Sequence, residues 1–221
     1  MALPGRKVVG AVLSGVGALL PLLFIWHSGD YFLAALTAAT LGIALIFLFS
    51  IDDLKASAPE FALAISGFLY VPLLLGHLVL TRELPHGIQW IFLLLILVMS
   101  GDTGAYYVGS SLGRHKLYPL VSPNKSIEGA IGGLAGSLLG VFIARWIFFP
   151  ELTVVDCLMT SLIIGSLGQM GDLFESLLKR SFGVKDSGTI IPGHGGILDR
   201  LDSILFAAPA LYYYVVLRGT L

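Results

Sequence analysis

Read for the alternation of apolar and polar positions, the chain falls into long apolar blocks with short polar joints between them. A helix needs about 20 predominantly apolar residues to cross the hydrocarbon core of a bilayer. Blocks of that order run over residues 8–27, 31–51, 60–80, 88–109, 127–149, 153–178 and 202–218. The pattern predicts an all-α polytopic membrane protein with about seven transmembrane helices. No sheet is expected, because open sheet edges cannot be satisfied in lipid. The blocks show no repeat, and no shift of composition marks a second domain.

Composition strengthens that reading. The chain is 56% hydrophobic and 12% charged, with a mean hydropathy of +0.90. Soluble domains carry about 25% charged residues. A cleaved leader is not expected, since the first apolar block runs past Leu20 to Trp26 without a small-x-small site. The single cysteine, Cys157, sits in an apolar run and reads as core packing. The formal net charge of −1 by itself says nothing about nucleic acid, and no nucleic-acid partner is expected.

Where the charges lie matters more than their sum. With Arg6 and Lys7 in the cytoplasm, the same side collects Lys55, Arg114, Lys116, Lys125, Lys179, Arg180, Lys185 and Arg200. The far side keeps Arg82 and Arg218, and Arg145 falls inside the fifth block near its outer end. Lys and Arg favour cytoplasmic loops, which fixes the expected orientation. Snorkelling to the interface accounts for Arg145. Tyr212, Tyr213 and Tyr214 read as outer interface anchors.

Acids inside two of the blocks need a reason. "MSGDTGAYYVG" puts Asp102 in the fourth block, and "GQMGDLFESLLKR" puts Asp172 and Glu175 in the sixth. An ionised carboxylate in hydrocarbon is expensive and marks function by default. At ~1.5 Å rise per residue, Asp102 and Asp172 both lie roughly 10 Å from the cytoplasmic face. Asp199 and Asp202 open the seventh block on that side, spaced to share one helical face. Four carboxylates converging on one cytosol-facing zone need neutralising, which Mg²⁺ held by carboxylates and substrate phosphates would do.

The joints beside these acids suit an anionic substrate. "KDSGTIIPGHGGILDRLDS" carries glycines that allow turns able to aim N–H groups at a phosphate, and His194 can donate to a phosphate or move a proton. "GRHKLYPLVSPNKSIEG" adds Arg114, Lys116 and Lys125, and Ser126 through Gly129 leads into a helix N-terminus. Glu128 beside Lys125 is read as a candidate ion pair, and Arg114 as a topology determinant. "GAIGGLAGSLLG" is read as a close helix-packing stripe. Carboxylates, cations and an N–H nest at headgroup depth suggest phosphoryl or nucleotidyl transfer to a lipid. Neither the base nor the lipid follows from that.

Ser176, Lys179, Arg180, Lys185, Asp186, Pro192, His194-Gly195-Gly196, Asp199-Arg200 and Asp202 match, at every spacing, the signature of the phosphatidate cytidylyltransferases, or CDP-diacylglycerol synthases. "SGDTGAYYVG" and "SPNKSIEG" resemble two further motifs of that family, so the likeness covers roughly residues 88 to 218. The family more often has Lys where Asn124 stands and Thr where Ser126 stands. Its N-terminal part is usually longer by one or two spans. The resemblance divides the chain into N-terminal helices over 1–87 and a catalytic region over 88–221.

The resemblance implies that CTP and phosphatidate give CDP-diacylglycerol and pyrophosphate. It implies a divalent metal, Mg²⁺, on Asp172, Asp199 and Asp202, with room for a second cation. Lys179, Arg180, Lys185 and the His194-Gly195-Gly196 turn would hold CTP phosphates, with Ser176 and Arg200 in the same substrate-binding set. Asp186 would orient Lys185 or a metal-bound water. Lys125 and Ser126 would grip either the phosphatidate headgroup or CTP. Asp102 is a second metal ligand or an orienting base. Membrane lipids are the expected surroundings, in a bacterial inner (plasma) membrane with the site facing the cytoplasm, and a homodimer is left open. A CTP-dependent lipid kinase and an ion-coupled transporter are the alternatives. The acids lie near one face instead of the midplane, which speaks against a transporter. The Asp-Gly-x-x-Ala-Arg run expected of CDP-alcohol phosphotransferases does not occur.

Overall fold

The computed structural model describes residues 32–49, 53–188 and 196–220. The chain divides into two compact units, Met1–Glu83 and Leu84–Leu221. Among the described residues five stretches are long and apolar enough to cross a membrane: Leu54–Glu83, Gly87–Leu112, Ile127–Ile147, Val154–Ser181 and Leu198–Gly219. Of the seven blocks read from the sequence, 8–27 lies outside the described residues. Block 31–51 yields helix α1 (Phe32–Phe49), whose apolar portion Leu36–Phe49 is short of a full span.

In the first unit, α1 is followed by α2 (Leu54–Phe68), a π-helical turn over Leu69–Leu73, and α3 (Leu74–Glu83). Asp53 caps α2 by accepting from Lys55 N at 2.9 Å. The wide turn contains Pro72, which has no N–H and would clash with the carbonyl one turn back. A π-turn absorbs that conflict without breaking the span. Ile43, Phe47, Ala64 and Phe68 form the buried core of this unit.

The second unit is an antiparallel bundle of α4 (Gly87–Leu112), α5 (Ile127–Ile147), α6 (Val154–Ser181) and α7 (Leu198–Thr220). Trp90, Leu93, Leu94, Leu97, Val141, Phe149, Leu205 and Leu211 are buried between them. Cys157 is buried among these residues, as its apolar setting predicts. Helices α4 and α5 meet on glycine. A Cβ at Gly104 would lie 2.5 Å from Gly132 O and 3.2 Å from Gly136 Cα. The stripe from residue 129 to 140 therefore serves close packing.

The expectation of no sheet is corrected by a small ribbon. Strands β1 (Lys116–Tyr118) and β2 (Ser122–Ser126) pair antiparallel in the joint between α4 and α5. The hydrocarbon argument governs the spans, and this joint lies beyond the helix ends, where ribbon edges can meet polar surroundings. At its tip Leu120 is 82% exposed.

The opposite end of the bundle is closed by a polar knot that the sequence reading passed over. Asp156 accepts from Thr153 N at 2.7 Å and Thr153 Oγ1 at 2.8 Å, completing a capping box at the start of α6. It also accepts from Tyr214 Oη at 2.6 Å and Arg218 Nε at 2.9 Å. Arg218 lies over the Trp90 ring. Tyr214, read from the sequence as an interface anchor, is thus a partner of the buried Asp156 carboxylate. Arg145 Nε donates to Leu152 O at 2.7 Å, so it ties the α5–α6 turn.

Candidate active site

Three helices deliver the acids to one end of the second unit. Asp102 comes from α4, Asp172 and Glu175 from α6, and Asp199 and Asp202 from the first turns of α7. They form two groups instead of one. In the first, Asp102, Asp172 and Asp202 lie within electrostatic range of one another and of Lys125. Lys125 Nζ is 2.5 Å from Asp172 Oδ2. Strand β2 brings the lysine there from the ribbon, so the joint reaches back into the bundle. Asp202 Oδ1 also accepts from Ser203 N at 2.7 Å.

The second group is built on Asp199. Its Oδ1 accepts from Lys179 Nζ at 2.8 Å. Its Oδ2 accepts from Ser187 N at 2.9 Å, Ser187 Oγ at 2.7 Å and Gly196 N at 2.7 Å. Lys179 also pairs with Glu175, one turn earlier on α6. Asp199 is therefore saturated by donors, and it does not join Asp172 and Asp202 in a three-carboxylate set as expected. Among the described residues no group of three or more His, Cys, Asp or Glu side chains is arranged to hold a metal ion. That the acids gather at one end of the unit was legible from span lengths. Their separation into two groups depends on how α6 and α7 face each other, which spacing along the chain does not encode.

The donor chemistry still fits a hard cation at the first group. Asp102, Asp172 and Asp202 offer only oxygens, and Mg²⁺ is usually held by one or two carboxylates, with waters and substrate phosphates completing the shell. A closed protein cage is not required for such a site. Behind it, a small cleft is lined by Leu97, Gly101, Asp102, Ser137, Gln169 and Ser203, among others. Gln169 Nε2 donates to Ala130 O at 3.1 Å and so bridges α6 to α5 behind the acids.

Other candidates are placed with varied results. Ser126 is buried, and its Oγ accepts from Gly129 N at 3.1 Å as the N-cap of α5. That use fills the helix N-terminus which the sequence offered to an anion. The expected Glu128–Lys125 pair is not formed. Glu128 instead approaches His115 Nδ1 at 2.6 Å and accepts from Arg114 N and His115 N. The reason is the ribbon, which turns Lys125 toward Asp172 and folds residues 114–115 back over the first turn of α5. Arg180, Lys185, Asp186 and Arg200 are exposed around this end, and Ser176 is half-buried. Arg180 Nη1 reaches Val184 O. His194 and Gly195 lie outside the described residues; Gly196 is buried against Ser187.

Comparison with known proteins adds a decisive observation. A family model described as "Cytidylyltransferase family" matches residues 4–218. The chain belongs to the cytidylyltransferase family. Within that family, it is 43% identical over 150 residues to the phosphatidate cytidylyltransferase of Bacillus subtilis (strain 168), covering 67% of this chain and 56% of the relative. It is 49% identical over 125 residues to the phosphatidate cytidylyltransferase of Staphylococcus haemolyticus (strain JCSC1435), covering 57% and 48%. Against the protein of the same name from Staphylococcus aureus (strain COL), identity is 37% over 205 residues, covering 92% and 78%. The chain thus spans about half the length of the first two relatives and most of the third. Family membership and the helices long enough to span a bilayer together fit a membrane protein.

Proposed function

We propose that this chain transfers the cytidylyl group of CTP to phosphatidate, giving CDP-diacylglycerol and pyrophosphate for phospholipid synthesis. The observation that carries the reading is the convergence of Asp102, Asp172 and Asp202 around Lys125, beside a loop stapled by Asp199. The names of the relatives supply the substrates.

In the proposed reaction a phosphatidate phosphate oxygen attacks the α-phosphorus of CTP. A new P–O bond forms, the α–β bond breaks, and pyrophosphate leaves with the electron pair. Such transfers ask little covalent chemistry of the protein, and positioning with charge stabilisation dominates. Mg²⁺, when bound, would neutralise phosphate charge, with one or two of Asp102, Asp172 and Asp202 supplying its carboxylate oxygens. Lys125 would pass from Asp172 to a substrate phosphate. Lys185 from the exposed segment after α6, Arg180 from the end of α6 and Arg200 from the start of α7 would face the polyphosphate, and His194, Gly195 and Gly196 would join them. Asp186 would orient Lys185, and Ser176 would line the approach. Ser126 would act through the helix cap that fixes Lys125. The site is proposed to face the cytoplasm across a bacterial inner membrane, where CTP is available.

The test is product analysis. Purified protein given CTP, phosphatidate and Mg²⁺ should release pyrophosphate and form CDP-diacylglycerol in equal amounts. Release of CDP with a phosphorylated lipid would replace the reading with a lipid kinase, and no turnover of either kind would remove it.

A further inference from the structure

Glu175 is the acid for which the sequence offered no task. Its side chain is 0% exposed, in the last third of α6. Burying a carboxylate is costly unless it is paired. Neither of its buried oxygens accepts a hydrogen bond, and its only salt-bridge contact among the described residues is Lys179, through Oε2. A surface ion pair would not need such burial, and a core position would be better filled by leucine. What the arrangement achieves becomes clear one step further along. Lys179 Nζ donates to Asp199 Oδ1 at 2.8 Å, and Asp199 Oδ2 takes Ser187 N, Ser187 Oγ and Gly196 N.

A relay therefore runs from a buried anchor on α6, through one ammonium, to both flanks of the Gly-rich stretch. A second observation shows how closely those flanks meet. A Cβ at Gly196 would lie 2.8 Å from Gly188 N and 3.0 Å from Ser187 C, both backbone atoms. The flanks are in contact, and Asp199 is the staple across them. A lysine side chain has much rotamer freedom to lose. One carboxylate leaves its ammonium free to swing; two, on neighbouring helices, fix it. We propose that Glu175 is a positioning residue that locks Lys179, and through Lys179 and Asp199 holds Ser187 and Gly196, the described flanks of the stretch between α6 and α7, together where nucleotide phosphates would bind. The nucleotide part rests on the function proposed above; the hold on the flanks does not.

The experiment compares wild type with Glu175→Gln, Glu175→Asp and Ser187→Ala, in the full chain in detergent. Backbone amide hydrogen exchange is read at Ser187 and Gly196, with steady-state rates at varied CTP and varied phosphatidate. Glu175→Gln should speed exchange at both amides about tenfold or more. It should raise KM for CTP by a similar factor, with KM for phosphatidate within twofold. Glu175→Asp keeps the charge and should recover part of the loss. Ser187→Ala cuts one strand of the staple and should shift KM for CTP in the same direction, by less. Asp156→Asn, at the other end of the bundle, should lower thermal stability and leave KM for CTP unchanged. Unchanged exchange in Glu175→Gln overturns the proposal, as does an equal rise of both KM values following the stability loss alone. If Glu175→Gln cannot be obtained folded, no exchange change in Glu175→Asp or Ser187→Ala overturns it equally. If wild type makes no CDP-diacylglycerol, the functional reading fails while the exchange comparison still decides whether Glu175 holds the flanks.

Discussion

Asp172 touches Lys125 at 2.5 Å and shares its surroundings with Asp102 and Asp202. Its charge is the natural centre of the proposed cation and phosphate site. Asp172→Asn is nearly isosteric and leaves Lys125 without its partner. We expect kcat to fall by about 10²-fold or more, the scale on which removing one well-placed electrostatic group acts, with the protein still folded. Chelation with EDTA should silence wild type, and added Mg²⁺ should restore it. CDP-diacylglycerol formation measures both, and turnover within a few-fold of wild type in Asp172→Asn would remove the residue from the mechanism. At this scale the sequence singled out the acids more readily than the partners each one touches. Acids inside apolar spans were conspicuous because lipid penalises them. Their partners were not, because Lys179 and Asp199 are 20 residues apart and Tyr214 and Asp156 are 58 apart. The pair that spacing did suggest, Lys125 with Glu128, lost to the ribbon's own geometry. The Glu175–Lys179 pair, one helical turn apart, was legible by the same rule, and so was the Thr153–Asp156 capping box.

Helices carry these residues, and the fit between helices sets the site. Asp102 hangs from α4 two residues before Gly104, and Lys125 enters from the strand that leads into α5. Gly104 faces Gly132 and Gly136 with no room for a methyl group, and every neighbour there is backbone. Gly104→Ala must therefore push α4 and α5 apart. The expected cost is about 1–3 kcal/mol, the usual scale of overpacking. Activity should drop as well, since Asp102 and Lys125 would separate. Gly42→Ala in α1 is the control, because nothing lies within 4 Å of its added Cβ. There the better helix propensity of alanine should leave stability equal or slightly higher. Melting temperature in one detergent, with the turnover assay alongside, distinguishes the two. A glycine stripe at helical spacing made this contact legible in advance. The ribbon was missed because its segment, KLYPLVSPNKS, is short and carries two prolines, and because the rule that excludes sheet edges applies within hydrocarbon alone.

Across the molecule, charge and length together define a direction. Helix α5 has 21 residues, about 31 Å at ~1.5 Å per residue, close to the ~30 Å of a bilayer core. The ribbon at its start and the turn at its end should then lie on opposite membrane faces. The ribbon end of the second unit carries Arg114, Lys116, Lys125, Lys179, Arg180, Lys185 and Arg200, against Arg145 and Arg218 at the other. Both of those are engaged within the protein, Arg145 with Leu152 O and Arg218 with Asp156, so they contribute less free positive charge to that face. The bias of Lys and Arg toward cytoplasmic joints then puts the ribbon, and the carboxylates behind it, on the cytoplasmic side. The check uses a Cys157→Ala background carrying either Leu120→Cys at the exposed ribbon tip or Glu151→Cys in the α5–α6 turn. In oriented membrane vesicles, an impermeant thiol reagent should label the first from the cytoplasmic face and the second from the opposite face. Labelling of both from one face would mean that α5 does not span, and labelling from the reversed faces would turn the carboxylates away from cytosolic CTP and break the proposed reaction at its first requirement.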